Sequence, residues 1–85
     1  MEEKKEKVID VYITDYCPYC TFAKQLLKAE GFVFQEHDLT HDKEGREALR
    51  IKAGGRTTVP QIFVNDHCIG GFEDLKKWIT SGCPL

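Results

Sequence analysis

The sequence predicts an α/β fold with its elements in the order β, α, β, α, β, β, α. Residues 8–13 (VIDVYI) place three apolar side chains on one face by alternation, which is typical of a strand. A helical pattern and a second apolar run, residues 32–39, follow directly and complete a βαβ unit with parallel strands. Residues 65–66 then separate two short apolar segments, which predicts an antiparallel hairpin.

The first helix is predicted to begin at Pro18 and to end at Gly31. Proline suits the first helical position because its missing N–H would have no intrahelical partner there. Glycine is typical of the position just beyond the end of a helix. The predicted buried face of this helix comprises Phe22, Ala23, Leu26 and Leu27.

A shorter second helix is predicted over residues 43–53. Asp42 can cap its N-terminus with a side-chain oxygen, and Gly54 and Gly55 follow its end. The apolar face of this helix is thin, so the stability of the helix depends on tertiary contacts. That predicted face comprises Ala48, Leu49 and Ile51.

The hairpin is predicted to join residues 61–64 (QIFV) to residues 67–69 (HCI). Gly70 and Gly71 interrupt the chain again, and a last helix follows them. This helix is predicted to end at residues 81–82, where serine and glycine stand together. Its expected apolar positions are Phe72, Leu75, Trp78 and Ile79.

The composition limits the possible classes of function. The 85 residues carry 12 basic and 14 acidic side chains, a formal net charge of −2, which does not suggest binding to nucleic acid or to an anionic membrane. The length predicts one domain, residues 1–85, with a charged lead-in at 1–7. No apolar run suits a signal peptide or a membrane span, which predicts the cytoplasm, where cysteines stay reduced.

Cys17 stands where the first strand leads into the first helix, with Pro18 directly after it. The first N–H groups of a helix lack internal partners and carry partial positive charge. A thiolate is stabilised there, so Cys17 is predicted to be substantially ionised at neutral pH and to act as a nucleophile. Pro18 supports this geometry because its fixed φ commits the chain to the helix.

Cys20 lies one helical turn further on, so its sulfur projects from the same face as that of Cys17. Two Cα atoms at this spacing are roughly 5 Å apart, within the range of a disulfide. Cys20 is deeper in the turn and is expected to be less exposed. The pair therefore predicts that Cys17 attacks a disulfide and that Cys20 resolves the mixed disulfide.

Two other uses of a C-x-x-C pair fit less well. A zinc site needs four ligands, commonly as two pairs, whereas Cys68 and Cys83 are single and the three histidines are scattered at positions 37, 41 and 67. A structural disulfide at this spacing closes a small loop and constrains the unfolded chain little. A C-x-x-C pair beside a βαβ unit in a reducing compartment indicates redox chemistry instead.

Three motifs resemble those of a dithiol glutaredoxin: CPYC at 17–20, TVP at 58–60 and GGFED at 70–74. The resemblance extends over about residues 8–82. It implies the thioredoxin-like fold, a four-stranded mixed sheet flanked by three helices, and a glutathione-dependent thiol–disulfide oxidoreductase. It also implies glutathione as co-substrate without a metal, and glutathionylated or disulfide-containing proteins as partners. The protein is expected to act as a monomer.

The resemblance also implies a role for each motif residue. Cys17 would be the nucleophile and Cys20 the resolving thiol. Val59, beside a cis peptide bond to Pro60, would offer its backbone to the cysteinyl part of glutathione. The start of the last helix and the Asp74 side chain would hold the γ-glutamyl end, although an ordinary first-turn acid is the alternative for Asp74. The glutathione-binding residues implied in this way are Tyr19, Thr58, Val59, Pro60, Gly71, Phe72, Glu73 and Asp74.

The sequence departs from many relatives at one position. They carry a lysine three residues before the first cysteine, which helps to stabilise the thiolate and to bind the glycyl carboxylate of glutathione; here the residue is Thr14. Arg46, Lys52 and Arg56 are candidates to supply the missing charge. The departure leaves open a dithiol carrier reduced by thioredoxin reductase. An iron–sulfur module is a further alternative, which the proline and second cysteine of CPYC disfavour.

The other cysteines and the histidines have simpler interpretations. Cys68 lies in a predicted strand and is expected to be a small buried side chain, whereas Cys83 is expected to be exposed. The histidines are expected at the surface. None is expected to act as a catalytic base, because a nucleophile that is already ionised needs none. Tyr16 is interpreted as a surface aromatic residue.

Overall fold

The computed structural model describes residues 7–56 and 58–83, and it contains the seven predicted elements in the predicted order. Residues 1–6 of the predicted lead-in lie outside the described residues. The strands are β1 (Ile9–Ile13), β2 (Gln35–Asp38), β3 (Gln61–Val64) and β4 (His67–Gly70). The helices are α1 (Pro18–Ala29), α2 (Lys43–Lys52) and α3 (Phe72–Thr80). Among these described residues, no helix is long and apolar enough to cross a membrane.

The four strands form one mixed sheet in the order β2-β1-β3-β4. β1 and β2 are parallel, whereas β3 pairs antiparallel with both β1 and β4. Asn65 and Asp66 have φ values of 51° and 69°, as a two-residue hairpin turn of this kind requires. The predicted βαβ unit, the hairpin and the four-stranded mixed sheet are therefore confirmed.

This topology brings three segments to the same end of the sheet. Tyr12 near the end of β1 pairs with Gln61 at the start of β3, so residues 58–60 lie beside the loop that leaves β1. Ile62 pairs with Gly70 at the end of β4, so the chain that enters α3 starts from the same end of the sheet. The N-termini of α1 and α3 and the segment before β3 therefore meet there.

Helices cover both faces of the sheet, because alternate strand residues point in opposite directions. On one face, β1 and β3 pack against α1 and α3; this larger core comprises Ile9, Val11, Ile13, Cys20, Ala23, Leu27, Phe32, Ile62, Val64, Leu75 and Trp78. On the other face lies a smaller core of Leu39, Leu49, Ala53 and Phe63, beneath α2. The prediction that Trp78 lies in the core is confirmed.

Several element boundaries differ from the prediction. β1 begins at Ile9 and not at Val8, β4 ends at Gly70 and not at Ile69, and two further differences lie at the ends of helices. β2 begins at Gln35 and not at Phe32, because the N–H of Phe32 donates to the carbonyl of Leu27 at 3.0 Å and so belongs to the end of α1. α2 ends at Lys52, one residue before its predicted end, and Ala53 caps it. Hydrogen bonds at helix ends decide both boundaries, and apolar pattern alone does not reveal them.

The predicted buried faces of α1 and α2 are partly wrong. Phe22 is 46% exposed, because it lies at the rim of the α1 face and packs against other rings at the surface. Ile51 is 68% exposed and Ala48 is exposed as well, so Leu49 is the buried residue of the predicted α2 face. Ala53, one turn further on, completes the contact of α2 with the sheet.

Cys68 is exposed, contrary to the prediction, because β4 is an edge strand. Cys83 is half-buried against the larger core and is less exposed than predicted. His37 is half-buried, with Nε2 2.9 Å from Oδ1 of Asp10, whereas the other two histidines are exposed as predicted. Tyr16 is also exposed, as predicted.

Candidate active site

Cys17 is the N-cap residue of α1, in an extended conformation with φ −110° and ψ 108°. Its Sγ accepts a hydrogen bond from the backbone N–H of Cys20 at 3.1 Å. Pro18 follows as the first helical residue, and the first turn contains no acidic side chain that would oppose a negative charge there. The predicted position of Cys17 is confirmed, while its role as nucleophile stays a prediction.

Cys20 lies behind Cys17 and is 1% exposed, so the prediction of a deeper second thiol is confirmed. Burial, together with a hydrogen bond to the Cys17 side chain, raises the pKa of the Cys20 thiol to about 12. Neither cysteine is in a disulfide. Cys20 therefore keeps its proton at neutral pH, and Cys17, which is half-buried, is the sulfur that solvent reaches.

The peptide bond between Val59 and Pro60 is cis, as the resemblance implies. The thiol of Cys17 donates a hydrogen bond to the Val59 carbonyl at 3.5 Å. Val59 is half-buried, whereas Pro60 is buried. A ligand that approaches the sulfur therefore meets the backbone of Val59 at the same time.

A cleft of about 530 Å³ opens beside Val59, and we name it the α3 cleft. Its volume is in the usual range of small-molecule sites. The lining residues are Tyr19, Arg56, Thr58, Val59, Pro60, Gln61, Gly71, Phe72, Glu73 and Asp74. All eight residues that the resemblance assigns to glutathione are among them, so the three motifs converge on one cavity; their binding roles stay predictions.

Gly70 allows two charged side chains to approach each other at the α3 cleft. Its φ of 114° lies in the region that favours glycine. A Cβ atom at this position would clash with the carboxylate of Asp74 and would lie 2.9 Å from Nη1 of Arg56. The carboxylate and the guanidinium are thus held next to the same backbone position, so this part of the cleft offers groups of both charges.

Asp74 has a structural partner of its own. Its Oδ2 accepts a hydrogen bond from the N–H of Gly71 at 3.2 Å, which closes the first turn of α3. The residue is nevertheless exposed, so the rest of its carboxylate faces solvent in the cleft. Asp74 therefore suits both interpretations, a residue that stabilises the helix start and a ligand for a cationic group.

Gln61 lines the α3 cleft but is absent from the predicted site residues. It is buried, and its Nε2 donates to the carbonyl of Thr58 at 2.9 Å and to Oγ1 of Thr58 at 3.2 Å. Gln61 thereby fixes the segment that precedes the cis-proline. The sequence offers one signal of this role, a glutamine at the start of an otherwise apolar strand. An amide buried there needs specific hydrogen-bond partners.

The three basic candidates lie in different places. Arg56 lines the α3 cleft. Lys52 lies over the ring of Phe63 at 4.8 Å, away from the lining of that cleft. Arg46 lines a second cavity of about 390 Å³, which we name the α2 pocket. Val59 and Arg56 line both cavities, so the two adjoin at the segment next to Cys17.

Thr14, which replaces the lysine of many relatives, is 5% exposed and lines the α2 pocket. Its Oγ1 has no hydrogen-bond partner among the described residues. Most buried hydroxyl groups in proteins are hydrogen-bonded. Thr14 therefore brings an unpaired hydroxyl, and no charge, to the loop that leads to Cys17.

The arrangement suits exchange between thiols and disulfides. One sulfur is accessible at a helix N-terminus, and a second lies one turn away with its proton in place. Within residues 7–56 and 58–83, no three histidine, cysteine or acidic side chains are grouped so that they could hold a metal ion.

Comparison with known proteins gives a consistent result. A family model described as Glutaredoxin matches residues 9–69. Glutaredoxin 3 of Escherichia coli K12 is 46% identical over 67 residues, which are 79% of this chain and 80% of that protein. The glutaredoxin of Pseudomonas aeruginosa is 48% identical over 72 residues, 85% and 84% of the two chains. The crystal structure of a buckwheat glutaredoxin–glutathione complex superposes with a TM-score of 0.79 at 27% identity, covering 93% of this chain and 74% of that one.

Proposed function

This chain belongs to the glutaredoxin family and is therefore a thiol–disulfide oxidoreductase, and we propose that it reduces glutathione mixed disulfides and protein disulfides with electrons from glutathione. The observation that carries the proposal is the position of Cys17. Its sulfur caps α1, adjoins the Val59 carbonyl and has a buried second thiol one turn away. The glutathione complex of the buckwheat relative supports the choice of reductant.

Removal of glutathione from a substrate needs only Cys17. Its thiolate attacks the glutathione sulfur of the mixed disulfide, so a Cys17–glutathione disulfide forms and the substrate leaves as a thiolate, which takes up a proton. The thiolate of a second glutathione then attacks the sulfur of the bound glutathione. This step forms oxidised glutathione and restores the Cys17 thiolate, so one molecule of glutathione is consumed for each glutathione that is removed from the substrate.

Reduction of a protein disulfide uses both thiols. Cys17 attacks one sulfur of the substrate and releases the other as a thiolate. Cys20 then loses its proton and attacks Sγ of Cys17, which releases the second substrate thiolate and leaves a Cys17–Cys20 disulfide. The negative charge of Cys17 contributes to the raised pKa of Cys20, and it is absent in the mixed disulfide. Two molecules of glutathione then reduce the Cys17–Cys20 disulfide.

In the proposed complex, glutathione lies in the α3 cleft with its sulfur at Cys17. Its cysteinyl backbone pairs with that of Val59, as an added strand would. Its γ-glutamyl carboxylate lies at the N-terminus of α3, near the N–H groups of Phe72 and Glu73, and its ammonium group lies on Asp74. The support for this pose is that each of these residues lines the same cleft.

Arg56 is proposed to bind a carboxylate of glutathione and so to supply the charge that Thr14 lacks. Of the three basic candidates, Arg56 is the one that lines the α3 cleft, where it adjoins Asp74. A guanidinium suits this role because it can donate two parallel hydrogen bonds to a carboxylate. The proposed setting is the cytoplasm, where glutathione keeps thiols reduced, and the proposed acting form is a monomer.

The test compares two kinds of substrate in the wild type and in cysteine variants. Cys20→Ser is expected to remove glutathione from a glutathionylated peptide within about threefold of the wild-type rate, and to reduce a protein disulfide at least about 100-fold more slowly. Cys17→Ser is expected to lose both activities. The matched control is Cys68→Ser, which changes an exposed thiol outside both cavities.

Two results would contradict the proposal. An equal loss of both activities in Cys20→Ser would exclude the one-thiol route through Cys17. Faster turnover with NADPH and purified thioredoxin reductase than with glutathione and glutathione reductase would exclude glutathione as the main electron donor.

The pKa of Cys20 gives a separate test of the division of roles. Only the thiolate is alkylated at a useful rate, and a pKa of about 12 keeps Cys20 protonated up to strongly alkaline pH. Iodoacetamide at pH 8 is therefore expected to modify Cys17 and to spare Cys20, as measured by mass spectrometry of the digested protein. Modification of Cys20 before Cys17 would reverse the assignment.

A further inference from the structure

Gln61 lies in the wall of the α3 cleft without reaching into the cavity. It is 1% exposed, whereas Thr58, which lines the same part of the cleft, is exposed. A ligand in the cleft therefore contacts Thr58 and not the Gln61 amide. Any effect of Gln61 on binding has to pass through the residues that its side chain holds.

Both ends of the Gln61 amide have partners within the protein. Nε2 donates to the carbonyl oxygen of Thr58 at 2.9 Å and to Oγ1 of Thr58 at 3.2 Å. Oε1 accepts a hydrogen bond from the thiol of Cys68, with the two atoms 3.6 Å apart. The amide is fixed in this orientation, because turning it over would place a donor against a donor and an acceptor against two acceptors.

The position of Thr58 depends on Gln61. In the described part of the chain, no backbone hydrogen bond outside the helices and strands involves Thr58. Pro60, two residues further on, has no N–H to donate. The short segment that carries the Val59 carbonyl next to Cys17 is therefore tied at its start by the Gln61 side chain and at its end by β3.

The bond from Gln61 also determines how the Thr58 hydroxyl can bond to a ligand. A hydroxyl group has one hydrogen to donate and two lone pairs to accept with. Because Oγ1 of Thr58 accepts from Gln61, a lone pair is used on the protein side and the hydrogen stays available for an acceptor in the cleft. A carbonyl or carboxylate oxygen is such an acceptor, and glutathione has both.

We propose that Gln61 is a positioning residue for glutathione: it holds Thr58 so that the Thr58 hydroxyl donates to an oxygen of glutathione in the α3 cleft. The inference rests on the proposed binding of glutathione there. Gln61 does not touch glutathione, so most of its contribution disappears when Thr58 has no hydroxyl. The two side chains act as one unit, and their effects on glutathione recognition do not multiply.

The experiment uses one peptide in two mixed disulfides, one with glutathione and one with 2-mercaptoethanol. Both contain a disulfide for Cys17 to attack, but only glutathione fills the α3 cleft. The ratio of the two kcat/KM values therefore measures glutathione recognition, and a change in folding or in the reactivity of Cys17 cancels. The wild type is expected to favour the glutathione disulfide at least about 100-fold.

Gln61→Met keeps the length of the side chain and removes the donor, and it is expected to lower the ratio about fivefold. Thr58→Val removes the hydroxyl and is expected to lower the ratio about fivefold as well. The double variant is expected to lower it about eightfold, well short of the roughly 25-fold product of the single effects. The small additional loss reflects the Thr58 carbonyl, which Gln61 still holds in Thr58→Val.

Gln35→Met is the matched control and is expected to keep the wild-type ratio. Gln35 is also the first residue of a strand, but it is exposed and lies outside both cavities. Thr58→Ser restores the hydroxyl that Thr58→Val removes, and it is expected to restore the ratio. Because Thr58 is exposed, its two variants test the hydroxyl even if the buried substitution Gln61→Met folds poorly.

Three results would overturn this inference alone, provided that the wild type prefers the glutathione disulfide. They are an unchanged ratio in Gln61→Met, an unchanged ratio in Thr58→Val, and a loss of about 25-fold in the double variant, which would mean that Gln61 acts independently of the hydroxyl. A wild-type ratio of one would overturn the proposed recognition of glutathione and the inference with it.

Discussion

The two cavities on either side of Val59 are built by different means. The α3 cleft is formed by backbone and by short motifs: the cis-proline segment, the N-terminus of α3 and a carboxylate in the first turn of that helix. The α2 pocket is formed by long basic side chains around buried leucines and an unpaired hydroxyl. Val59 lines both cavities, and its carbonyl lies 3.5 Å from Sγ of Cys17.

The difference indicates what each cavity can recognise. Backbone N–H and carbonyl groups are present whatever the side chains are, so the α3 cleft suits a ligand that every turnover shares, such as glutathione. Side chains on a helix surface can change without altering the fold. The α2 pocket depends on such side chains, so substitutions can change its charge without changing the fold.

The largest effect that separates the two cavities is expected from Gly70→Ala. The added Cβ would clash with the Asp74 carboxylate and approach Arg56, and the φ of 114° would be strained. Displacing Asp74 and Arg56 is expected to lower kcat/KM for glutathione about 100-fold.

Gly31→Ala is the matched control for this substitution. Gly31 also has a positive φ, 82°, but a Cβ there would meet nothing within 4 Å. The control is expected to lose about 1 kcal/mol of unfolding free energy and to keep its KM for glutathione. A similar rise in KM in both variants would mean that backbone strain, and not the clash at the cleft, caused the effect.

A smaller effect is expected from Asp74→Asn. The amide oxygen can still accept the hydrogen bond from Gly71, so the start of α3 is kept while the charge is lost. The KM for glutathione is expected to rise about tenfold, because a charge-assisted bond to the ammonium group is lost. Steady-state kinetics at several glutathione concentrations measures this.

Glu44→Gln, which changes the first-turn acid of α2, tests the simpler interpretation of Asp74. If Asp74→Asn and Glu44→Gln each lower the free energy of unfolding slightly and neither changes the KM for glutathione, Asp74 interacts only with the helix dipole and does not bind glutathione.

Much of the fold follows from local pattern. The alternation in β1, the proline that starts α1 and the turn at Asn65 and Asp66 each depend on neighbouring residues, and the structure confirms them. The α3 cleft was predictable for a related reason. Its three motifs are short, and the antiparallel pairings of β3 with β1 and with β4 carry all three to one end of the sheet.

The errors concern properties that depend on distant parts of the chain. Cys68 is exposed because β4 is an edge strand, and strand order in the sheet is not a local property of the sequence HCI. The α2 pocket also depends on residues that are distant in the sequence. Its lining runs from Thr14 to Val59 with long gaps, and Arg46 was only one of three basic candidates until its carbonyl and hydroxyl partners were known.

The smallest effect, and the most specific to the α2 pocket, is expected from Thr14→Val. Valine has nearly the shape of threonine but lacks the buried hydroxyl that finds no partner among the described residues. Removing this hydroxyl is expected to raise the free energy of unfolding by about 1 kcal/mol. Burying an unpaired hydroxyl costs free energy, and burying the methyl group of valine does not.

Thr14→Ser is the matched control, since it keeps the hydroxyl and loses a buried methyl group. It is expected to lower the unfolding free energy by about 1 kcal/mol. Denaturant unfolding of the two variants and the wild type measures these opposite changes. If Thr14→Val destabilised the protein instead, its hydroxyl would already be bonded in the free protein, and the α2 pocket would lose the feature that sets it apart from a merely basic surface.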